Sequence, residues 1–217
     1  MNPENTNFIL RAFQDGGLMM IVIAFFAIAT VTLVIERLLK LQSLVVDKRE
    51  FTDQLYRMVI AGDLKQAISY CDSRPSPLSN TVKAGLIQAL NKRPDEEIQV
   101  AMDACILREM PKLEGLTPFL AVFGNVSVLV GLLGTIFGMI LSFRAVEKAN
   151  DTQKAELLSA GISHALNCTA FGLLVAITAI VAYGWFQHRI QRTETEIIET
   201  SMTLLNLVAS NRDKMKD

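Results

Sequence analysis

Three long apolar runs, separated by charged segments, dominate the pattern of hydrophobic positions along the chain. Residues 16–35 form a run of 20 without a charged side chain, residues 115–143 a run of 29, and residues 157–187 a run of 31. At 1.5 Å per helical residue the first run is about 30 Å long, which matches the hydrocarbon core of a bilayer. The other two reach about 44 and 47 Å. The pattern therefore predicts an all-α membrane protein with three transmembrane helices, the second and third long enough to tilt or to extend into the cytoplasm.

The polar segments complete the predicted organisation. Residues 36–114 show helical spacing of apolar positions, Gly62 can close one helix, Asp63 can cap the next, and Pro94 can start another. We expect a small helical cytoplasmic domain here, in which Pro111 and Pro118 bend or break the last helix unless they are locally accommodated. Residues 1–15 are predicted to form an interfacial segment, 144–156 a short periplasmic loop, and 188–217 a cytoplasmic tail.

Lysine and arginine near the ends of the runs predict the orientation. The positive-inside rule places the more basic flanks in the cytoplasm. One side carries eight such residues, and the other carries Arg11, Arg144, Lys148 and Lys154; the eight are Arg37, Lys40, Lys48, Arg49, Arg108, Lys112, Arg189 and Arg192. We therefore expect a multi-pass protein of the bacterial inner membrane with a periplasmic N-terminus and a cytoplasmic C-terminus.

Small and hydroxyl residues recur at helical spacing in the second and third runs. They are predicted to share one helix face in each run: Ser127, Gly131, Thr135, Gly138 and Ser142, then Ala165, Thr169, Gly172, Ala176 and Ala179. Small residues, Gly134 among them, let helix backbones approach closely, while hydroxyls can line a polar path. Packing alone explains most of the glycine and alanine, but it explains the two mid-span threonines less well. A threonine hydroxyl can also donate a hydrogen bond to the carbonyl three or four residues back in its own helix.

Charge and composition exclude several functions. No Asp, Glu, Lys or Arg lies inside the three runs, so His164 is the one ionisable candidate for a proton relay there, with Asn167 at helical spacing from it. A histidine near a span end can equally sit neutral at the headgroup level. The net charge of −1 gives no reason to expect nucleic acid. Three cysteines and two histidines show no metal-binding spacing, and no catalytic motif occurs, so we expect no enzyme, no metal and no cofactor.

Two segments carry a resemblance to a known family. Residues 131–139, GLLGTIFGM, and 162–177, ISHALNCTAFGLLVAI, resemble the two signatures of the MotA/TolQ/ExbB proton-channel proteins, and within them the ExbB/TolQ branch. Gly16-Gly17-Leu18-Met19-Met20, Glu36-Arg37-Leu38, and Gly62-Asp63-Leu64 followed by Ala67 are similar to weaker patterns of that family. The resemblance covers nearly the whole chain.

The resemblance implies a ring, typically of five copies, around single-span partners of the ExbD/TolR type. A partner aspartate is expected near Thr135 and Thr169, with Ser127, Ser142, His164 and Asn167 along the path and Gly131, Gly134, Gly138, Ala165, Gly172 and Ala176 in helix packing. Proton flow through this subunit would then drive work at the outer membrane through a TonB- or TolA-like protein. This expectation agrees with the missing carboxylate, because the acid would come from the partner.

Three positions depart from the family pattern. His164 stands where the family usually has Glu, Thr178 where it has Pro, and Val128 where a Pro commonly precedes the first signature. His164 could provide a pH-sensitive substitute, or the protein could be a ring that scaffolds partner helices without conducting. A stator of the flagellar MotA kind ranks last, because that branch normally has four spans and a larger cytoplasmic domain.

Overall fold

The computed structural model describes residues 17–44, 48–147 and 149–211, which fold into helices joined by short turns, with no strand among them. The predicted interfacial segment 1–15 and the end of the tail, 212–217, lie outside these residues. In chain order the helices are α1 (Gly17–Leu44), α2 (Lys48–Ile60), α3 (Leu64–Ser73), α4 (Pro77–Leu90), α5 (Asp95–Glu114), α6 (Thr117–Glu147) and α7 (Asp151–Ser210).

Three helical stretches in the described residues are long and apolar enough to cross a membrane: Met19–Gln42, Asp95–Glu147 and Thr152–Ser210. Their apolar windows coincide with α1, α6 and the first half of α7, which carry the three runs of the sequence. Large apolar side chains such as Ile28 and Leu129 are more than 60% exposed on these helices, as expected of surfaces that face lipid. The predicted fold class, an all-α membrane protein with three long apolar helices, is confirmed.

The helices extend further than the predicted segments. Helix α6 continues to Glu147 and α7 begins at Asp151, so most of the loop predicted at 144–156 is helical. Helix α7 also runs through the predicted tail as far as Ser210. A charge ends the apolar run and not the helix, so continued helix agrees with the expectation that the second and third spans are longer than a bilayer needs. Ala, Glu, Lys and Gln, which are common in these flanks, are good helix formers.

The described helices belong to two compact units. Among the described residues, the first consists of 17–36, 116–147 and 149–185, and the second of 37–44, 48–115 and 186–211. In the first unit, α1 packs on α6 through an edge-to-face pair of Phe26 and Phe123, whose ring centroids are 5.6 Å apart. Met20, Ile23 and Leu120 are buried in the same unit.

The second unit has a core of aliphatic and aromatic side chains contributed by α2 to α5 and the C-terminal part of α7. Phe51 stacks on Tyr70 with 5.4 Å between centroids, and Gly85 lets α4 approach Met102 of α5. Asp63 accepts a hydrogen bond from the Gln66 amide at 3.0 Å and so caps α3, as the sequence predicts. Fully buried core positions include Leu55, Val59, Ala67, Val82, Leu86, Ile98, Leu113 and Leu204.

Helix α5 ends in a tight turn before α6. Pro111 is accommodated within its last turn, and the Gly115 amide donates to the Pro111 carbonyl at 2.9 Å. Gly115 has φ +44° and ψ −122°, a conformation that glycine adopts far more easily than other residues. The break predicted around the two prolines therefore occurs at Gly115, and Pro118 is tolerated in the first turn of α6.

Candidate functional site

The contact between α6 and α7 is built from residues too small to keep the backbones apart. A Cβ placed on Gly131 would lie 3.1 Å from the Cys168 carbonyl oxygen and 3.2 Å from Thr169 Cα. One on Gly138 would lie 3.1 Å from Ala165 Cβ, and one on Gly172 would lie 2.7 Å from the Ser127 carbonyl oxygen. The predicted packing residues Gly131, Gly134, Gly138, Ala165, Gly172 and Ala176 are all buried. Close approach of this kind is the usual role of small residues between membrane helices.

The buried face of α6 differs at one position from the stripe drawn on the sequence. Over the length of that stripe its buried residues are Ser127, Gly131, Gly134, Gly138 and Ser142, so Gly134 occupies the place that the stripe gives to Thr135. Spacings of four and three residues both fit one helix face, and the sequence alone does not choose between neighbours. Thr135 is half-buried and lies beside the contact rather than inside it.

Three of the four predicted path hydroxyls bond to their own helix. Ser127 donates to the Phe123 carbonyl at 2.7 Å, Ser142 to Gly138 at 2.7 Å, and Thr135 to Leu132 at 2.6 Å. These bonds match the local alternative for hydroxyls in helices. Ser127 and Ser142 are buried between the helices, so their position is that of packing residues.

Thr169 is different, because its hydroxyl reaches the facing helix. Its Oγ1 donates to the Gly131 carbonyl oxygen at 3.1 Å, across 38 residues of sequence. The glycine at 131 lets Thr169 come this close, because a Cβ there would lie 3.2 Å from the Thr169 Cα. The bond ties the centre of the third span to the centre of the second.

Helix geometry places Thr135 and Thr169 on the same side of the α6–α7 contact. Phe123, which packs on α1, lies 12 residues before Thr135, which corresponds to about 120° around the helix. Thr169 lies on the corresponding flank of the antiparallel α7. The two threonines therefore sit on the flank that faces away from α1, beside half-buried Val128 and Met139 and next to exposed Leu173. This flank, an apolar surface with two hydroxyl positions, is called the threonine flank below.

His164 is on the other side of α7. It lies five residues before Thr169, about 140° away around the helix. It lines an open pocket of about 450 Å³ together with Ser142, Ser163 and several small or aliphatic residues, which are Gly138, Leu141, Ala145, Leu157, Ala160 and Gly161. Asn167 is half-buried on a further face, two residues from Thr169. The structure thus brings Thr135 and Thr169 to one flank and separates His164 and Asn167 from them.

Cys168 and Gly124 are two further packing residues, which were not predicted from the sequence. Cys168 is fully buried, and a Cβ on Gly134 would lie 2.8 Å from its Cβ. A Cβ on Gly124 would lie 3.4 Å from the Ala176 carbonyl oxygen. The signal was present, because Cys168 follows Ala165 by three residues and precedes Gly172 by four. Within the described residues, no group of three or more His, Cys, Asp or Glu side chains could hold a metal ion.

The fold and this contact are those of a multi-span helical membrane protein whose second and third membrane helices pack through glycine. Residues 73–199 match the model of the MotA/TolQ/ExbB proton channel family, and the chain belongs to that family. The family and the three apolar helices also support a multi-pass protein of the inner membrane.

Individual relatives agree with the ExbB/TolQ branch. The Tol-Pal system protein TolQ of Pseudomonas aeruginosa is 43% identical over 94 residues, which is 43% of this chain and 40% of the relative. The biopolymer transport protein ExbB of Pseudomonas putida is 27% identical over 174 residues, which is 76% of this chain and 52% of the relative. These alignments span about half of the relatives' length or less.

A solved structure shares the fold. The structure of C. jejuni MotAB matches with a TM-score of 0.63 and 17% sequence identity, over 96% of this chain and 84% of the matched chain. At that identity the match supports the arrangement of helices and no finer conclusion.

Proposed function

We propose that this chain is the channel-forming subunit of an inner-membrane complex that couples proton flow to work at the outer membrane, and that it is not an enzyme. The observation that carries the proposal is the threonine flank. It places two hydroxyls at mid-span on a surface that α1 leaves uncovered, and it has no charge of its own. Membership of the proton channel family supports protons as the ion that is conducted. The relatives named TolQ and ExbB support an inner-membrane energy-coupling complex.

A partner must supply the titrating acid in this proposal. The three apolar runs contain no carboxylate, so protons cannot be relayed by charged side chains of this chain alone. A single-span partner of the ExbD/TolR type, with an aspartate opposite Thr135 and Thr169, would complete the path. A ring of identical subunits, five in the form implied by the resemblance, would surround such partners, and a TonB- or TolA-like protein would carry the work outward. Each proton crossing 100 mV releases about 2.3 kcal/mol.

Replacing the threonine hydroxyls tests the proposal. In proteoliposomes that contain the protein and its single-span partner, we expect Thr169→Val to lower proton flux about tenfold, since a hydrogen bond of roughly 1 kcal/mol and a path hydroxyl are both lost. The double variant with Thr135→Val should lose more. Thr178→Val is the matched control, because Thr178 is exposed on the same helix and donates to the Leu174 carbonyl, at 2.9 Å, in its own helix. Unchanged flux in the double variant would contradict the proposal.

One alternative is a ring that scaffolds partner helices without conducting. The presence of His164, where the family signature that this segment resembles usually has Glu, favours it. The same proteoliposomes separate the two functions, because a scaffold binds the partner and gives no flux above that of empty vesicles. The expected orientation, with the N-terminus in the periplasm, is testable separately by labelling single introduced cysteines from either side of the membrane.

A further inference from the structure

Arg37 is a charged side chain that the proposed path does not use, and it is almost completely buried. It is only 2% exposed, although it lies just beyond the first apolar run in α1. Its Nη1 donates to the carbonyl oxygen of Glu114 at 3.4 Å, across 77 residues of sequence. Arg37, Glu114 and Gly115 all belong to the second unit. A buried guanidinium is costly unless it is well partnered, so contacts within the protein must offset the cost of its burial.

The carbonyl that Arg37 contacts belongs to the end of α5. The last carbonyls of a helix have no partner within the helix and form the negative end of its dipole. A cation at that end is favourable, and more so when it is shielded from water. Arg37 therefore acts as a C-terminal cap for α5, supplied by a residue from another helix.

The guanidinium also covers the residue that follows. A Cβ built on Gly115 would overlap the Nη1, Cζ and Nη2 atoms of Arg37. The positive φ of Gly115 already disfavours other residues, and the guanidinium removes the space that a side chain would need. The guanidinium thus fits the Gly115 turn in shape, and its charge suits the carbonyl end of α5.

We propose that Arg37 is a positioning residue that locks the Gly115 turn, the point where α5 ends and the second membrane helix begins. The guanidinium caps α5 and presses on a turn that only glycine can form, so that α6 starts at one defined residue. Lysine cannot replace it, because an ammonium lacks the planar fork that covers Gly115 and reaches the carbonyl together. The functional consequence rests on the proposed function, since α6 carries Thr135.

Hydrogen exchange of the full-length protein tests the lock without reference to transport. We expect amides of the α5 C-terminus and the Gly115 turn to exchange about five- to thirtyfold faster in Arg37→Ala and in Arg37→Lys. Lys40→Ala is the control, because Lys40 is an exposed cation on the same helix. If the amides of the Gly115 turn exchange at the same rate in Arg37→Ala as in Lys40→Ala, the proposal is overturned.

A double-variant cycle adds a steric test. Gly115→Ala should lower the thermal midpoint sharply, and the loss should be smaller in the Arg37→Ala background, where the overlap with the guanidinium is gone. Additive losses would contradict the matched-shape argument. Proton flux is then measured on the same samples: the Arg37 variants should reduce it and Lys40→Ala should not. If neither the unaltered protein nor any variant conducts protons, the proposed function is wrong. The hydrogen-exchange result still tests whether Arg37 locks the Gly115 turn.

Discussion

Replacing Gly172 with alanine is the sharpest single perturbation of the α6–α7 contact. The added Cβ would lie 2.7 Å from the Ser127 carbonyl oxygen and 3.1 Å from Gly131 Cα. Both atoms belong to the backbone of the facing helix, so no side chain can rotate away. The helices themselves must separate locally.

The size of the effect follows from these distances. An ordinary contact between an aliphatic carbon and a carbonyl oxygen is about 3.3 Å, so relief needs a shift of about 0.6 Å. A shift of that size would lengthen the 3.1 Å bond from Thr169 to Gly131 to about 3.7 Å, beyond hydrogen-bond range. Overpacking typically costs about 1–3 kcal/mol, whereas alanine gains about 1 kcal/mol over glycine in a helix. We expect a net loss of up to about 2 kcal/mol, together with reduced proton flux.

Gly184→Ala is the matched control for this substitution. Gly184 lies on the same helix, and a Cβ built there meets no atom within 4 Å. The Gly184→Ala variant should benefit from the higher helix propensity of alanine without any overlap. The thermal midpoint of this variant in detergent should therefore rise or stay unchanged. The two variants are compared by thermal unfolding followed by size-exclusion chromatography, and by flux. If Gly172→Ala is as stable and as active as Gly184→Ala, the close contact described above is wrong.

Three further predictions concern other parts of the chain. His164→Ala should keep proton flux close to that of the unaltered protein in the proteoliposome assay, because His164 lies away from the threonine flank; a loss as large as that of Thr169→Val would contradict the separation. Lys92→Gly should stabilise the protein by about 1 kcal/mol in chemical unfolding, since Lys92 has φ +59° after α4 and glycine adopts that conformation without strain. Burial raises the pKa of the Cys71 thiol to about 12, so maleimide should label it slowly at pH 8. The thiol of the unfolded chain loses its proton at a lower pH than the buried thiol does. The free energy of unfolding should therefore fall, relative to Cys71→Ala, as the pH rises from the ordinary thiol pKa towards 12.

Periodicity and composition predicted the three apolar helices, because a run of about 20 uncharged residues is long enough to span a bilayer and is unusual in a soluble core. They also predicted the cap at Asp63 and the helix start after Pro94, where local chemistry decides. The second and third helices continue past the apolar runs, to Glu147 and Ser210, which agrees with the expectation that they are longer than a bilayer needs; a change from apolar to charged residues marks the edge of a membrane and not the end of a helix. The hydrophobic pattern of the sequence predicts where the chain enters and leaves the membrane. It does not predict where the helices end.

At the site, too, some features could be predicted from the sequence and others could not. Small residues at spacings of three and four predicted the packing face, but the choice between Gly134 and Thr135 depends on the rotation of α6, which neighbouring helices decide. The bond from Thr169 to Gly131 joins two helices and has no sequence signature. The burial of Arg37 against Gly115 also has no sequence signature, because it depends on how the later part of α1 packs against the end of α5.

Proton flux is decisive for the threonine flank when it is measured through proteoliposomes that contain the protein and its single-span partner. We expect flux with the unaltered protein and with Thr178→Val, and loss of flux with the double variant Thr135→Val and Thr169→Val, at equal amounts of assembled complex. Flux that persists in the double variant would contradict the assignment of the pathway to the threonine flank.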